Sequence, residues 1–145
     1  MEDPHRLQRF VAAQDAAGTY DQAVGELRSG LKRSHWMWFV FPQIAGLGHS
    51  PTSRTYAISS LDEARAYLAH PILGPRLREC CRILTEQHGR SAQDIFGGID
   101  AVKLRSSMTL FAHADPADPV FRQVIDGYFG GVPDDATQRL LGVDS

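Results

Sequence analysis

The sequence predicts an all-α domain, a bundle of seven or eight short helices around one aromatic extended segment. Three observations point there. Capping signatures recur along the whole chain: Asp3-Pro4, Ser50-Pro51, Ser60 with Glu63, Ser91 with Asp94, and Asp118-Pro119. Each places a side-chain acceptor or a proline where a helix start leaves free amides. Between the caps, apolar residues recur three and four positions apart, the spacing of a helix face. Only Phe39-Val40-Phe41 has strand character, and Pro42 cuts it short.

The elements follow in order. Asp3-Pro4 opens a helix whose inner face is Leu7, Phe10, Val11 and Gln14, and Gly18 stops it. Thr19 caps a second helix with Tyr20, Val24, Leu27 and Leu31 as its stripe and Gly30 near its end. The stretch KRSHWMWFVFPQ, residues 32–43, comes next. If extended, it puts Trp36, Trp38 and Val40 on one side and His35, Met37, Phe39 and Phe41 on the other. If helical, it pairs His35 with Phe39 and Trp36 with Val40. A Gly-rich loop, GLGHSP, leads into a helix starting at Ser50-Pro51.

Ser60 and Glu63 form a capping box for a helix carrying Leu61, Ala64 and Leu68 and ended by Pro71. A longer helix runs from about Gly74 to His88, with Leu77, Cys80 or Cys81, and Leu84 inward. Ser91 to Asp94 opens one short turn that Gly97-Gly98 stops. Asp100 then caps a helix striped by Leu104, Met108 and Phe111. Asp118-Pro119 opens the next, with Val120, Val124, Ile125 and Tyr128, ended by Gly130-Gly131. A last short helix spans residues 134–141.

Composition narrows the class. The chain has 145 residues, 43% hydrophobic and 22% charged, which suits one globular domain over residues 1–145. It shows no repeat, heptad pattern or linker. A net charge of −2 and the lack of a basic recognition helix argue against nucleic acid as a partner. The longest apolar run, Trp36 to Phe41, is too short for a membrane span. The start MEDPHRLQRF lacks the cationic-then-apolar order of a signal peptide. Cys80 and Cys81 are the only cysteines. Adjacent cysteines suit neither a disulfide nor a zinc site, and fit a reducing, cytoplasmic setting. The histidines show no HExxH spacing, so neither metal nor cofactor is expected.

Three stretches carry candidate chemistry. The first is the aromatic stretch, in which the indoles of Trp36 and Trp38 offer flat faces to a base beside the polar His35 and Gln43. Its plainer reading is a hydrophobic core segment. In the second, Gly46, Gly48, His49 and Ser50 form a loop ahead of a helix start, a place where backbone amides can meet an anion; this is equally the composition of an interhelical turn. The third is KLRSSM, where Lys103 or Arg105 could reach a phosphate or carboxylate from a helix otherwise largely apolar. No Ser/His/Asp arrangement sits in a nucleophile elbow, and helix capping explains the carboxylates.

SHWMWFVFPQ, GLGHSP, YAISSLDEARAYLAHPILGPRLREC and KLRSSMTLFA together resemble domain-of-unknown-function family 1810 over nearly the whole chain. That resemblance implies a mainly helical fold and supplies no activity. A more distant likeness, through Glu63-Ala64 and the Lys103 to Met108 helix, is to the NADAR/YbiA-like family of ADP-ribose and N-glycosidic chemistry. That family's acidic Ser-Glu-His segment has no counterpart in SHWMWFVFPQ. The expected function is binding of a nucleotide or ADP-ribose-like small molecule, with N-glycosidic hydrolysis as an extension. The alternative is a non-catalytic helical protein-interaction module.

Overall fold

In the structure, a computed structural model that describes residues 3–143, the expected helices form and the aromatic stretch does not extend. The segments are α1 (Gln8–Asp15), α2 (Thr19–Ser29), α3 (Met37–Val40), α4 (Pro51–Thr55), α5 (Leu61–Ala69), α6 (Leu73–Glu86), α7 (Ala92–Ala114), α8 (Val120–Phe129) and α9 (Asp135–Leu141). The fold is all-α. Among the described residues the β pairing is one isolated parallel bridge, Ile44 with Ile58. No described helix is long and apolar enough to cross a membrane.

α7 is the central element. Leu104, Met108, Leu110 and Phe111 are all buried, and even Ser106, Ser107 and Thr109 are covered. A helix apolar nearly all round has neighbours on every side, and here α5, α8 and α9 pack against it. α6 packs on α2, α5 and α8, and α1 on α2 and α3. The resulting core includes an aromatic run in which Phe10 meets Tyr67 at 5.2 Å, Tyr67 meets Phe111 at 5.4 Å and Phe111 meets Phe121 at 5.8 Å. Cys80 and Cys81 are both buried and unpaired, with Cys81 Sγ 3.6 Å from Met108 Sδ.

Several caps work differently from their sequence signature. Asp3 accepts from the amides of Leu7 and Gln8, so α1 starts a turn later than Asp3-Pro4 implies. Thr19 does not cap α2; its hydroxyl donates back to the Ala16 carbonyl. Ser60 accepts from the Glu63 amide, but Glu63 does not return the bond. Its Oε1 accepts from the Ser59 amide and hydroxyl, and its Oε2 accepts from Arg9 Nη2 at 2.8 Å. Arg9 also donates to the carbonyls of Thr55 and Ala57. Glu63 therefore joins the start of α5 to α1 rather than closing a local box.

Two expectations are corrected. The aromatic stretch folds as one helical turn, with the Val40 amide on the Trp36 carbonyl and the Phe41 amide on the Met37 carbonyl. An extended segment there would need a strand partner for its backbone and cover for two apolar faces. A turn satisfies its amides locally and drives Trp36 and Val40 into the core together. Asp100 is no cap. α7 breaks at Gly97, at φ 77° and ψ 170°, a conformation essentially confined to glycine. The helix resumes before Asp100, which is left inside it to pair with lysines.

Candidate functional site

The site begins with Glu26, buried on α2. Its Oε1 accepts from the amides of Arg33 (2.7 Å) and Ser34 (3.0 Å) and from Trp36 Nε1 (2.9 Å), and its Oε2 from the Ser34 hydroxyl (2.6 Å). Burial by itself would raise the pKa of Glu26, but these hydrogen bonds outweigh it and hold the carboxyl at about 2. One fixed charge thus folds the chain after α2 and pins Trp36, which also packs on Phe41 and Phe96. Successive helical residues are rotated by about 100°. With Trp36 and Val40 facing inward, Trp38 turns outward and stays half-buried.

Trp38, Gln43 and Gly48 border two adjoining cavities. The smaller, of ≈ 210 Å³, is completed by Gly46, Arg54 and Tyr56 among others. The larger, of ≈ 410 Å³, adds Ile99, Lys103 and Ser106. The loop after the aromatic turn reaches this place because Ala45 donates to the Ile58 carbonyl and Ile58 to the Gln43 carbonyl, both at 2.8 Å. Gly48 lies against Ser53, where a Cβ would be 2.6 Å from Ser53 Cβ and 3.5 Å from Trp38 Cη2. Only a residue without a side chain fits this seam.

Charge is arranged around the indole. Lys103 Nζ lies 4.1 Å from the centre of the Trp38 ring, within cation–π range. Asp100 holds it, at 3.1 Å from Lys103 Nζ and 2.8 Å from Lys32 Nζ. Lys32 Nζ sits 5.1 Å from the Trp36 ring and donates to the Ser34 carbonyl. Burial would raise the pKa of Asp100, but the hydrogen bonds and charges of Lys32 and Lys103 lower it. Asp100 is therefore a fixed anion that orients Lys103.

Of the sequence-expected site residues, Trp38, Gln43, Gly46, Gly48 and Lys103 come together at these cavities. Trp36 does not: it is 1% exposed, because its indole is spent on Glu26 and on core packing. Arg105 points elsewhere, its Nε donating to the Val132 carbonyl and its guanidinium 5.8 Å from the Phe129 ring. His35 and His49 are exposed and line neither cavity. Ser50 caps α4, accepting from the Ser53 amide, and α4 is only five residues long, so the anion cradle expected there is a capped turn. Of the two segments that carry the NADAR/YbiA-like resemblance, only the Lys103 helix borders the cleft; Glu63 is buried with Arg9 and lines neither cavity.

Arg54, Tyr56 and Asp100 were not expected at the site. The i, i+3 spacing of Asp100 and Lys103 was the one visible signal. Nothing in the sequence places Arg54 beside Trp38; the loop crossing does.

The family model described as "Protein of unknown function (DUF1810)" matches residues 4–141. The chain belongs to this family. A solved structure, the crystal structure of the conserved hypothetical protein Rv1873 from Mycobacterium tuberculosis, is 54% identical, with a TM-score of 0.93 over 98% of this chain and 100% of that one. No curated protein matches. The structural match carries the fold, and neither the DUF1810 description nor the neighbour's name assigns an activity.

Proposed function

We propose that this DUF1810 chain binds a small, flat, anionic ligand of nucleotide or ADP-ribose type in the cleft divided by Trp38. One observation carries the reading: a half-buried indole borders two cavities, with a lysine fixed 4.1 Å from its ring. An exposed indole face stacks on a base, and cations on either side suit phosphates. Lys103 supplies that charge in the larger cavity and Arg54 in the smaller. Gln43 offers a buried amide for hydrogen bonding.

The reading stops at binding. The carboxylate bordering the larger cavity, Asp134, has its Oδ2 engaged by the Thr137 amide and hydroxyl. Asp100 is held ionised between two lysines. Neither is poised as the proton donor that N-glycosidic hydrolysis needs. The two free, buried cysteines fit a reducing, cytoplasmic setting.

Tryptophan fluorescence tests the proposal. ADP-ribose, NAD and AMP are titrated into the wild type and Trp38→Phe, in which Trp36 remains as reporter. Saturable quenching that Trp38→Phe abolishes is the expected result. No response and no thermal shift at millimolar ligand overturns the reading. A second reading, a protein-interaction module, draws on Ile99 and Val102, which are 77% and 60% exposed beside the larger cavity. Concentration-dependent self-association reversed by Ile99→Asp would favour it.

A further inference from the structure

We infer that a second pocket, separate from the Trp38 cleft, takes a small carboxylate with an apolar body. It lies between the C-terminal half of α7, the α7–α8 connection, α8 and the residues around α9. Its volume of ≈ 400 Å³ is that of a metabolite site. Ala112, Ile125 and Pro133 give it apolar walls, and His113, Arg122 and Gln138 a polar corner.

The bonds already made there decide the chemistry. Asp118 also borders the pocket, but its Oδ2 accepts from Arg78 Nε at 2.8 Å and its Oδ1 from the Val120 amide at 3.1 Å. Its charge is answered from outside the pocket. The Thr109 hydroxyl donates to the Arg105 carbonyl and accepts from the Asp134 amide, so it too is committed. His113 Nε2 lies 3.3 Å from Gln138 Nε2. Arg122 spends Nη2 on the Gly131 carbonyl and keeps Nε 3.4 Å from Asp126. What remains toward the space is the uncommitted part of the Arg122 guanidinium, whose charge Asp126 partly answers, beside an imidazole and an amide. A single guanidinium with one side used suits a monoanion. The apolar walls favour an apolar body over water.

The titration of His113 reports on occupancy. Burial and then the charge of Arg122 lower its pKa, so it is neutral near pH 7. The other charged groups on the pocket are Arg122 on α8 and Asp118 in the connection; α9 contributes only the neutral Gln138. An anion beside Arg122 cancels the second of the two causes. Its charge is therefore expected to raise the pKa of His113 against the burial its apolar body adds, and by linkage that rise makes it bind more tightly as pH falls.

The experiment follows the His113 ring by NMR, assigned with His113→Gln, during titration of benzoate, benzyl alcohol and inorganic phosphate. Benzoate is expected to shift the ring saturably and raise its titration midpoint. Benzyl alcohol leaves the midpoint in place, and phosphate acts at least about tenfold more weakly. Arg122→Gln weakens benzoate by about tenfold, and Arg122→Lys, which keeps the charge, by less. Absence of a benzoate response at tens of millimolar, or an unchanged affinity in Arg122→Gln with the fold intact by circular dichroism, overturns the site. Benzyl alcohol matching benzoate overturns the anion, and phosphate matching benzoate overturns the carboxylate with an apolar body. None of these readouts involves Trp38, so failure here is distinguishable from failure of the cleft.

Discussion

The indole nitrogen of Trp36 donates to Oε1 of Glu26 at 2.9 Å, inside the core. That carboxylate also takes the amides of Arg33 and Ser34, so a single residue of α2 shapes the chain that carries the candidate cleft. Glu26→Ala strands four donors at once, the amides of Arg33 and Ser34, the Ser34 hydroxyl and Trp36 Nε1. Each buried donor left unmade costs about 1–3 kcal/mol, and the bonds are partly cooperative, so the expected loss is about 3–5 kcal/mol in urea unfolding. Glu26→Gln keeps one acceptor and loses less.

The same carboxylate sets an acid limit. The pKa of Glu26 is about 2 when folded, against an ordinary 4.5. A depressed carboxylate pKa contributes stability that is fully present above 4.5 and is lost as pH falls toward 2, here up to about 3 kcal/mol. Urea midpoints measured from pH 6 to pH 3 should fall, and Glu26→Gln should show a shallower dependence. Equal slopes in the two proteins would refute the assignment.

Two glycines should respond in opposite directions. At Gly74 a Cβ would collide with the Leu68 carbonyl, a backbone atom that cannot swing away. Gly74→Ala should destabilise by about 2–3 kcal/mol. Gly25 sits inside α2 with open space at its Cβ position and an ordinary φ. Gly25→Ala should stabilise by about 0.5–1 kcal/mol. Thermal unfolding of the two variants gives the comparison directly.

At the cleft, Gly48→Ala should push Ser53 and the Trp38 ring apart. If the ligand stacks on Trp38, affinity should drop by about tenfold, near 1.4 kcal/mol, with little loss of secondary structure. Unchanged fluorescence quenching in this variant would separate the ligand from the indole.

Asp100→Asn removes the counter-charge of two lysines, one of them, Lys32, nearly buried. The expected cost is about 2 kcal/mol, below that of a fully buried pair because Asp100 keeps some solvent. Loss of the clamp on Lys103 should also change the emission of Trp38, which Lys103 faces.

The sequence by itself determined the helical class and most of the stops. Gly18, Gly30, Gly97 and Gly130 take the positive φ that ends or breaks a helix, and Ser91 with Asp94 closes a full capping box. These features are local: a cap or a left-handed turn is set by bonds within a few residues, so it can be read from neighbours in the chain. The tertiary structure decided what each aromatic and charged residue is for. Trp36 and Trp38 are two positions apart and alike in type, yet one is spent on Glu26 and the other borders two cavities. Asp100 reads as a cap and serves as a clamp for Lys32 and Lys103. Glu63 reads as half of a box and instead holds Arg9, far away in sequence. The difference is burial: a polar group taken from water must find a partner wherever the packed chain offers one, and that partner comes from folding rather than from sequence distance.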